Sequence, residues 1–129
     1  RAPDRVLEGP SGAWYSRVME RPNDHLLAEM RSLALHREVA RRVREDPGLV
    51  LHAREKVKRW SADDRMPPAY AEEWLRALEG TIDALCDLLV NEGEHARALR
   101  QVTPFSFVVS PRDRWRIWRE TREGRGAAP

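Results

Sequence analysis

Along the middle of the chain, apolar residues recur at the three- and four-residue spacing of helices that bury one side. Leu35, Val39, Arg42 and Val43 share one face of a predicted first helix, which Asn23–Asp24 caps at its start. This helix should end at Asp46–Pro47, since the residue before a proline disfavours the α region. A second predicted helix, with Pro47 at its first position, carries another apolar stripe made of Leu49, Val50, Ala53, Val57 and Trp60.

Two further helices are predicted in the centre of the chain. The third runs from about Pro68 to Glu79 and ends at Gly80, because glycine is favoured just after a helix. Thr81 caps the fourth, over residues 82–91. This fourth helix is apolar on nearly every side, so it is expected at the centre of the fold.

The C-terminal part combines two short helices with an apolar loop. A fifth predicted helix over residues 92–102 ends before Pro104, and a loop rich in phenylalanine and valine follows from Phe105 to Val109. Ser110 and Asp113 form a capping box that starts a sixth helix. No strand-like alternation is sustained, so the predicted fold is all-α, an irregular or orthogonal bundle of five to six short helices.

Composition divides the chain into three expected parts. Residues 1–22 hold three prolines and two glycines without a sustained apolar period. They are predicted to be a poorly ordered N-terminal arm or linker, with one short helical turn around Trp14–Met19. Residues 23–123 form the predicted helical bundle, and residues 124–129 are predicted to be a disordered tail.

Charge and cysteine content restrict the function classes. The 23 basic residues nearly balance the 21 acidic ones, so a pI near 9.1 indicates nucleic-acid binding only weakly. All basic residues except Lys56 and Lys58 are arginine, which suits bidentate contacts to phosphate or carboxylate but also follows from a GC-rich coding sequence. Cys86 is the single cysteine, which excludes an intrachain disulfide. No apolar run has bilayer length and no signal-peptide pattern occurs, which favours a cytoplasmic location.

No catalytic arrangement is visible in the sequence. The four histidines have no metal-ligand spacing, and His36 is expected to be a hydrogen-bonded residue at the edge of an apolar face. There is no glycine-rich phosphate loop, no nucleophile elbow and no converging carboxylate pair. The sequence therefore predicts neither an enzyme, nor a cofactor, nor a metal site.

Two groups of arginines are candidates for binding. Arg37, Arg41 and Arg44 lie opposite the apolar face of the first helix and are candidate phosphate contacts, although a solvated face paired with nearby glutamates explains them better. In the sixth helix, arginines alternate with Trp115 and Trp118, a composition that stacks on bases or anchors a protein partner. In the alternative, the tryptophans and Phe105 close the bundle while the arginines face outward.

Four segments together resemble a family of small bacterial helical antitoxin-like proteins. They are residues 32–47, Trp60, residues 70–80 and residues 98–120, and the most specific pattern is L-R-Q-x-x-P-F followed by P-R-x-R-W-x-I-W-R. Family members often carry an Xre-type helix-turn-helix domain, or are encoded beside a nucleotidyltransferase-like toxin. Residues 1–31 resemble no Xre domain, so the resemblance favours toxin binding over autonomous operator binding.

The resemblance implies a neutralising protein partner and a division of roles within its motif. The implied structural anchors are Leu99, Pro104, Phe105, Pro111, Trp115, Ile117 and Trp118. The candidate partner-binding residues are Arg100, Gln101, Arg112 and Arg114 of the motif, together with Arg116 and Arg119 of the same arginine-rich C-terminal segment. The alternative hypothesis is a nucleic-acid-binding transcriptional regulator that uses the arginine-rich faces, and either function is compatible with a homodimer.

Overall fold

Helices are the only regular secondary structure in the part of the chain that the structure describes. This computed structural model describes the backbone of residues 12–127 and the side chains of residues 25–121. Within that part, the helices are α1 (Gly12–Glu45), α2 (Gly48–Ala62), α3 (Pro68–Glu79), α4 (Ile82–Leu89), α5 (Glu94–Gln101) and α6 (Pro111–Ala127). A single 3₁₀ turn, Ser106–Val108, lies between α5 and α6. The predicted all-α fold is confirmed.

The first helix starts earlier than the sequence pattern indicates. α1 begins at Gly12 rather than at the predicted cap Asn23, and it continues through Pro22. An interior proline costs a helix about 3 kcal/mol and therefore favours a boundary at Pro22, but the helical residues on both sides override it. The predicted arm is therefore helical from residue 12, and residues 1–11 of that prediction lie outside the described part.

The last helix also extends beyond its predicted end. α6 continues through Gly124 to Ala127, although a disordered tail was expected from residue 124. Gly124 and Gly126 each cost the helix only about 1 kcal/mol relative to alanine, and the helix continues through both. By the distances between its Cα atoms, the chain divides into two units, one ending at Met30 and one beginning at Arg31.

The predicted caps of the two later helices are present. The Thr81 hydroxyl accepts a hydrogen bond from the Ala84 amide at 3.1 Å and caps α4. The Ser110 hydroxyl accepts one from the Asp113 amide, also at 3.1 Å, at the start of α6. These bonds satisfy amides that have no partner inside the helix, and they fix the first residue of each helix.

The core of the second unit is centred on Trp74, where consecutive helices from α2 to α5 pack against one another. Trp74 is completely buried; its ring meets Phe105 edge-on at 5.9 Å, and its indole N–H donates to the Leu99 carbonyl at 3.1 Å. The prediction that α4 is apolar on nearly all sides is wrong for one face, because Asp83 and Asp87 are exposed.

Candidate partner-binding surface

The apolar loop between α5 and α6 is anchored in the core. Phe105 is fully buried, and Pro104 and Leu99 are also buried beside it. Val109 is buried at the end of the loop, while Phe107 is half-buried and lies against His52, with the ring centroids 5.8 Å apart. The implied anchor roles of Leu99, Pro104 and Phe105 are thus matched by their burial, and the loop closes the bundle.

Arg100 is not on the surface, which corrects its implied role in partner binding. Its side chain is buried, and one guanidinium nitrogen donates to the carbonyls of Leu89 and Asn91 at 3.2 and 2.6 Å. These carbonyls lie at the C-terminal end of α4, where backbone acceptors lack helical partners. Arg100 therefore holds the end of α4 against α5 and is not available to a partner.

Arg114 also serves the fold, because it turns back from α6 toward the loop. Its guanidinium donates to the Ser106 carbonyl at 2.8 Å and to the Val109 carbonyl at 3.4 Å. The 3₁₀ turn is thereby fixed to the helix that follows it. Both bonds come from one guanidinium nitrogen of a half-buried side chain, so Arg114 fits a partner surface less well than the sequence suggested.

Arg42 is a contact residue that the sequence reasoning missed. It donates to the Val108 carbonyl at 2.8 Å and to the Asp113 carboxylate at 3.1 Å, and its Nε donates to Glu38 at 2.6 Å. The hydrogen bond to Glu38 raises the pKa of Arg42, and the hydrogen bond from Arg42 lowers that of Asp113. The only sequence signal was a charged residue between Val39 and Val43 on an apolar face. Arg42 joins α1, the loop and the start of α6.

The outer face of α6 presents a tryptophan surrounded by arginines. Arg112, Trp115, Arg116 and Arg119 occupy positions i, i+3, i+4 and i+7 of the helix, and all four are exposed. Trp115 is 57% exposed, which corrects its implied role as a structural anchor. We call these four residues the α6 face.

The other two large hydrophobic residues of the motif in α6, Ile117 and Trp118, are half-buried. Ile117 packs against the core, and the half-buried Trp118 lies under the guanidinium of Arg31, 5.4 Å from the ring centroid. Pro111 is exposed and is the first residue of α6, where its missing amide costs nothing. The two tryptophans of α6 therefore differ, because Trp115 is exposed and Trp118 is half-buried.

Little negative charge neutralises the α6 face. Asp113 is turned toward Arg42, and its second oxygen lies 3.5 Å from Arg116. Arg112 and Arg119 have no ion pair with a carboxylate among the described residues. Among the described side chains, the face thus offers two guanidinium groups without a carboxylate partner and a third that is shared with Asp113, all within one turn of Trp115.

The arginines of the candidate phosphate stripe each have a carboxylate partner. Arg41 pairs with Glu38 and Glu45 at 2.7 and 2.9 Å, as in the interpretation of a solvated face. Arg44 pairs with Asp83 at 2.6 Å, and Arg37 lies 3.9 Å from Glu92. Phosphate binding by this stripe would have to break these pairs, so the geometry favours the α6 face as the binding surface.

A separate open groove of about 490 Å³ lies between the α2–α3 loop and the segment that follows α5. Its lining residues are Trp60, Arg65, Met66, Gln101, Val102, Thr103 and Ser106. Gln101, implied by the resemblance as a partner-binding residue, is exposed here and is not part of the α6 face. The sequence reasoning did not identify this groove, because its walls come from segments about forty residues apart.

His36 lies directly behind one wall of the groove. It is 1% exposed, its Nδ1–H donates to the Ser32 carbonyl at 2.7 Å, and its Nε2 is 2.9 Å from the Thr103 hydroxyl. Burial lowers the pKa of His36 from 6.5 to about 4, and the nearby Arg100 adds to this. The prediction that His36 is hydrogen-bonded is confirmed, but the residue is in the interior and not at an edge.

Among the described residues, no three histidine, cysteine, aspartate or glutamate side chains come together to hold a metal ion. None of the helices there combines the length and apolar character needed to span a membrane. No protein-family model, curated protein or solved structure matches the chain.

Proposed function

We propose that this chain is a non-catalytic, antitoxin-like interaction module that binds and neutralises a toxin-like protein through the α6 face. The observation that carries the proposal is the 57% exposure of Trp115 among three exposed arginines. Tryptophan and arginine are the side chains most enriched among residues that dominate binding energy at protein interfaces.

The scaffold around this face supports the same interpretation. Arg42 and Arg114 fix α6 through its first turn and the preceding loop, so the face is held in place before binding. A surface held rigidly in this way loses less conformational entropy when a partner binds. The charges of the face call for an acidic surface on the partner, with an apolar recess that accepts the indole ring.

The proposal places the chain in the cytoplasm and gives it no cofactor. The resemblance to antitoxin-like proteins suggests a nucleotidyltransferase-type toxin as the partner. The alternative is a nucleic-acid-binding regulator that uses the same arginines on phosphates and Trp115 on a base. A homodimer is compatible with either function.

The test is co-purification of the tagged full chain with the protein encoded beside it, after nuclease treatment and at two salt concentrations. We expect a stoichiometric complex that also suppresses any growth inhibition by the neighbouring protein. Trp115→Ala should weaken the complex roughly tenfold or more, as removal of a central aromatic anchor does at other interfaces. Arg112→Glu combined with Arg119→Glu should weaken it further.

The matched control is Arg76→Glu, which reverses an exposed arginine on α3, away from the α6 face. Circular dichroism should show all variants folded, because none of the substituted side chains is buried. Equal binding by the wild type and the Trp115 and double-arginine variants would refute the assignment of the surface. Recovery of nucleic acid alone, lost steeply as salt rises, would favour the regulator instead.

A further inference from the structure

The groove beside α5 has the size and the mixed walls of a small-molecule site. Its volume of about 490 Å³ falls within the roughly 300–1,000 Å³ that ligand pockets occupy. Trp60, Met66 and Val102 give it an apolar surface, and Arg65, Gln101 and Ser106 add polar groups. None of these residues belongs to the α6 face, so the inference is independent of the proposed function.

The charge of the groove is positive and has no compensation in its walls. No carboxylate lines it, and Asp63 and Asp64, although in the same loop as Arg65, are not among the lining residues. Arg65 is exposed and has no ion pair among the described residues. Lys56 does not line the groove, and its ammonium lies 5.7 Å from the centre of the Trp60 ring.

The walls are held in position before any ligand binds. The Arg65 amide donates to the Trp60 carbonyl at 2.7 Å, which folds the α2–α3 loop back onto the end of α2. Asp64 makes this turn with φ of 55°, a left-handed conformation that aspartate tolerates better than most residues. On the opposite wall, the Thr103 hydroxyl is fixed by His36 and by the Phe105 amide.

The lining side chains that make no hydrogen bond within the described residues indicate which kind of ligand the groove can bind. Thr103 has its hydroxyl occupied on both sides, because Nε2 of the neutral His36 accepts its hydrogen and the Phe105 amide donates to its oxygen. The Arg65 guanidinium, the Gln101 amide and the Ser106 hydroxyl make no side-chain hydrogen bond within the described residues. Two of these three are strong donors, and a guanidinium binds carboxylates with two parallel bonds.

We propose that this groove binds a small aromatic carboxylate, with the acid group on Arg65 and the flat apolar body against Trp60, Met66 and Val102. A neutral aromatic compound lacks a partner for Arg65, and a small anion such as acetate lacks contact with the apolar wall. Both halves of the ligand are therefore required for binding.

The test titrates the full chain, labelled with ¹⁵N, with 2-naphthoate and follows amide and indole signals by nuclear magnetic resonance. We expect saturable shifts of the Trp60 indole N–H and the Gln101 side-chain amide, with the Trp115 indole unchanged. The neutral 2-naphthalenemethanol and sodium acetate, each at the same concentrations, should bind at least about tenfold more weakly.

Arg65→Gln is the decisive variant. Its control is Arg59→Gln, because Arg59 lies in the last turn of α2 and is exposed like Arg65, but does not line the groove. We expect Arg65→Gln to weaken naphthoate binding about tenfold and Arg59→Gln to leave it unchanged. Any of three results would overturn the proposal: no saturable shift at millimolar naphthoate, equal binding of the neutral alcohol, or equal binding by the Arg65 variant. A largest shift at Trp115 instead of Trp60 would also overturn it.

Discussion

Acidification should destabilise the protein through His36, and the geometry around this residue explains why. The Ser32 carbonyl can only accept, so Nδ1 carries the hydrogen and Nε2 of the neutral ring accepts from the Thr103 hydroxyl. The same hydroxyl accepts the Phe105 amide, so each atom in this chain of hydrogen bonds has its required role when the ring is neutral. A protonated ring would add a buried charge beside the Arg100 guanidinium.

The size of the effect follows from the difference in pKa between the unfolded and folded chain. Burial lowers the pKa of His36 from 6.5 to about 4. Between these values the unfolded chain binds a proton that the folded chain does not, so the free energy of unfolding falls as the pH falls. The contribution is fully present above pH 6.5, and about 3 kcal/mol is lost by pH 4.

Urea denaturation followed by circular dichroism, in steps from pH 7.5 to pH 4.5, measures this loss directly. His36→Gln keeps a polar side chain but removes the titrating ring, so its free energy of unfolding should depend much less on pH over the same range. His95→Gln, which removes a histidine paired with Glu73 on the surface, is the control and should keep the steep wild-type slope. Parallel curves for the wild type and His36→Gln, or a His36 pKa near 6.5 measured by nuclear magnetic resonance in the folded protein, would refute the reasoning.

Two further substitutions test the packing of the loop. Phe105→Ala removes a fully buried ring that packs against Trp74, and urea denaturation should show that the free energy of unfolding falls by about 3–5 kcal/mol. Phe105→Leu should lower it much less. A decrease below about 1 kcal/mol for the alanine variant would contradict the anchor role. Arg42→Ala removes the bonds to the loop and to Asp113, and with allowance for its partial exposure the expected loss is about 1–2 kcal/mol. Arg41→Ala, the control, removes only surface ion pairs from the same helix and should leave the urea midpoint nearly unchanged. Equal losses of stability for the two variants would contradict the role of Arg42 in joining α1, the loop and α6.

The sequence predicted the positions of helices best where local chemistry decides them. α3 spans Pro68–Glu79 as predicted, and the caps Thr81 and Ser110 act through side-chain bonds to amides three residues away. Such signals are local in the chain, so no tertiary information is needed to read them. The start of α1 was missed because Pro22 is a strong local signal for a boundary that the rest of the helix overrides.

The candidate site was harder to predict, because it depends on which side of a helix faces the core. Trp115 and Trp118 are three residues apart, close enough around the helix for both to face inward, yet Trp115 is exposed and Trp118 is half-buried beside Arg31. The bonds that turn α6 come from Arg42 on α1 and from the loop carbonyls that Arg114 contacts. Neither connection has a signature in the sequence, since each joins a charged side chain to a partner that only the tertiary fold brings near.

Arginine has two different roles in this chain, and separating them locates the surface worth testing. Arg42, Arg100 and Arg114 each donate to backbone carbonyls at the end of α4 or in the α5–α6 loop. These carbonyls receive no hydrogen bond from a helix or a strand, so the arginines supply the missing donors. A guanidinium can serve two acceptors at once with a planar fork, which a lysine ammonium cannot match. The arginine content of the motif is therefore explained partly by the fold itself. What the fold does not explain is the group that remains exposed, Arg112, Arg116 and Arg119 around Trp115, and it is there that binding of a partner should be sought first.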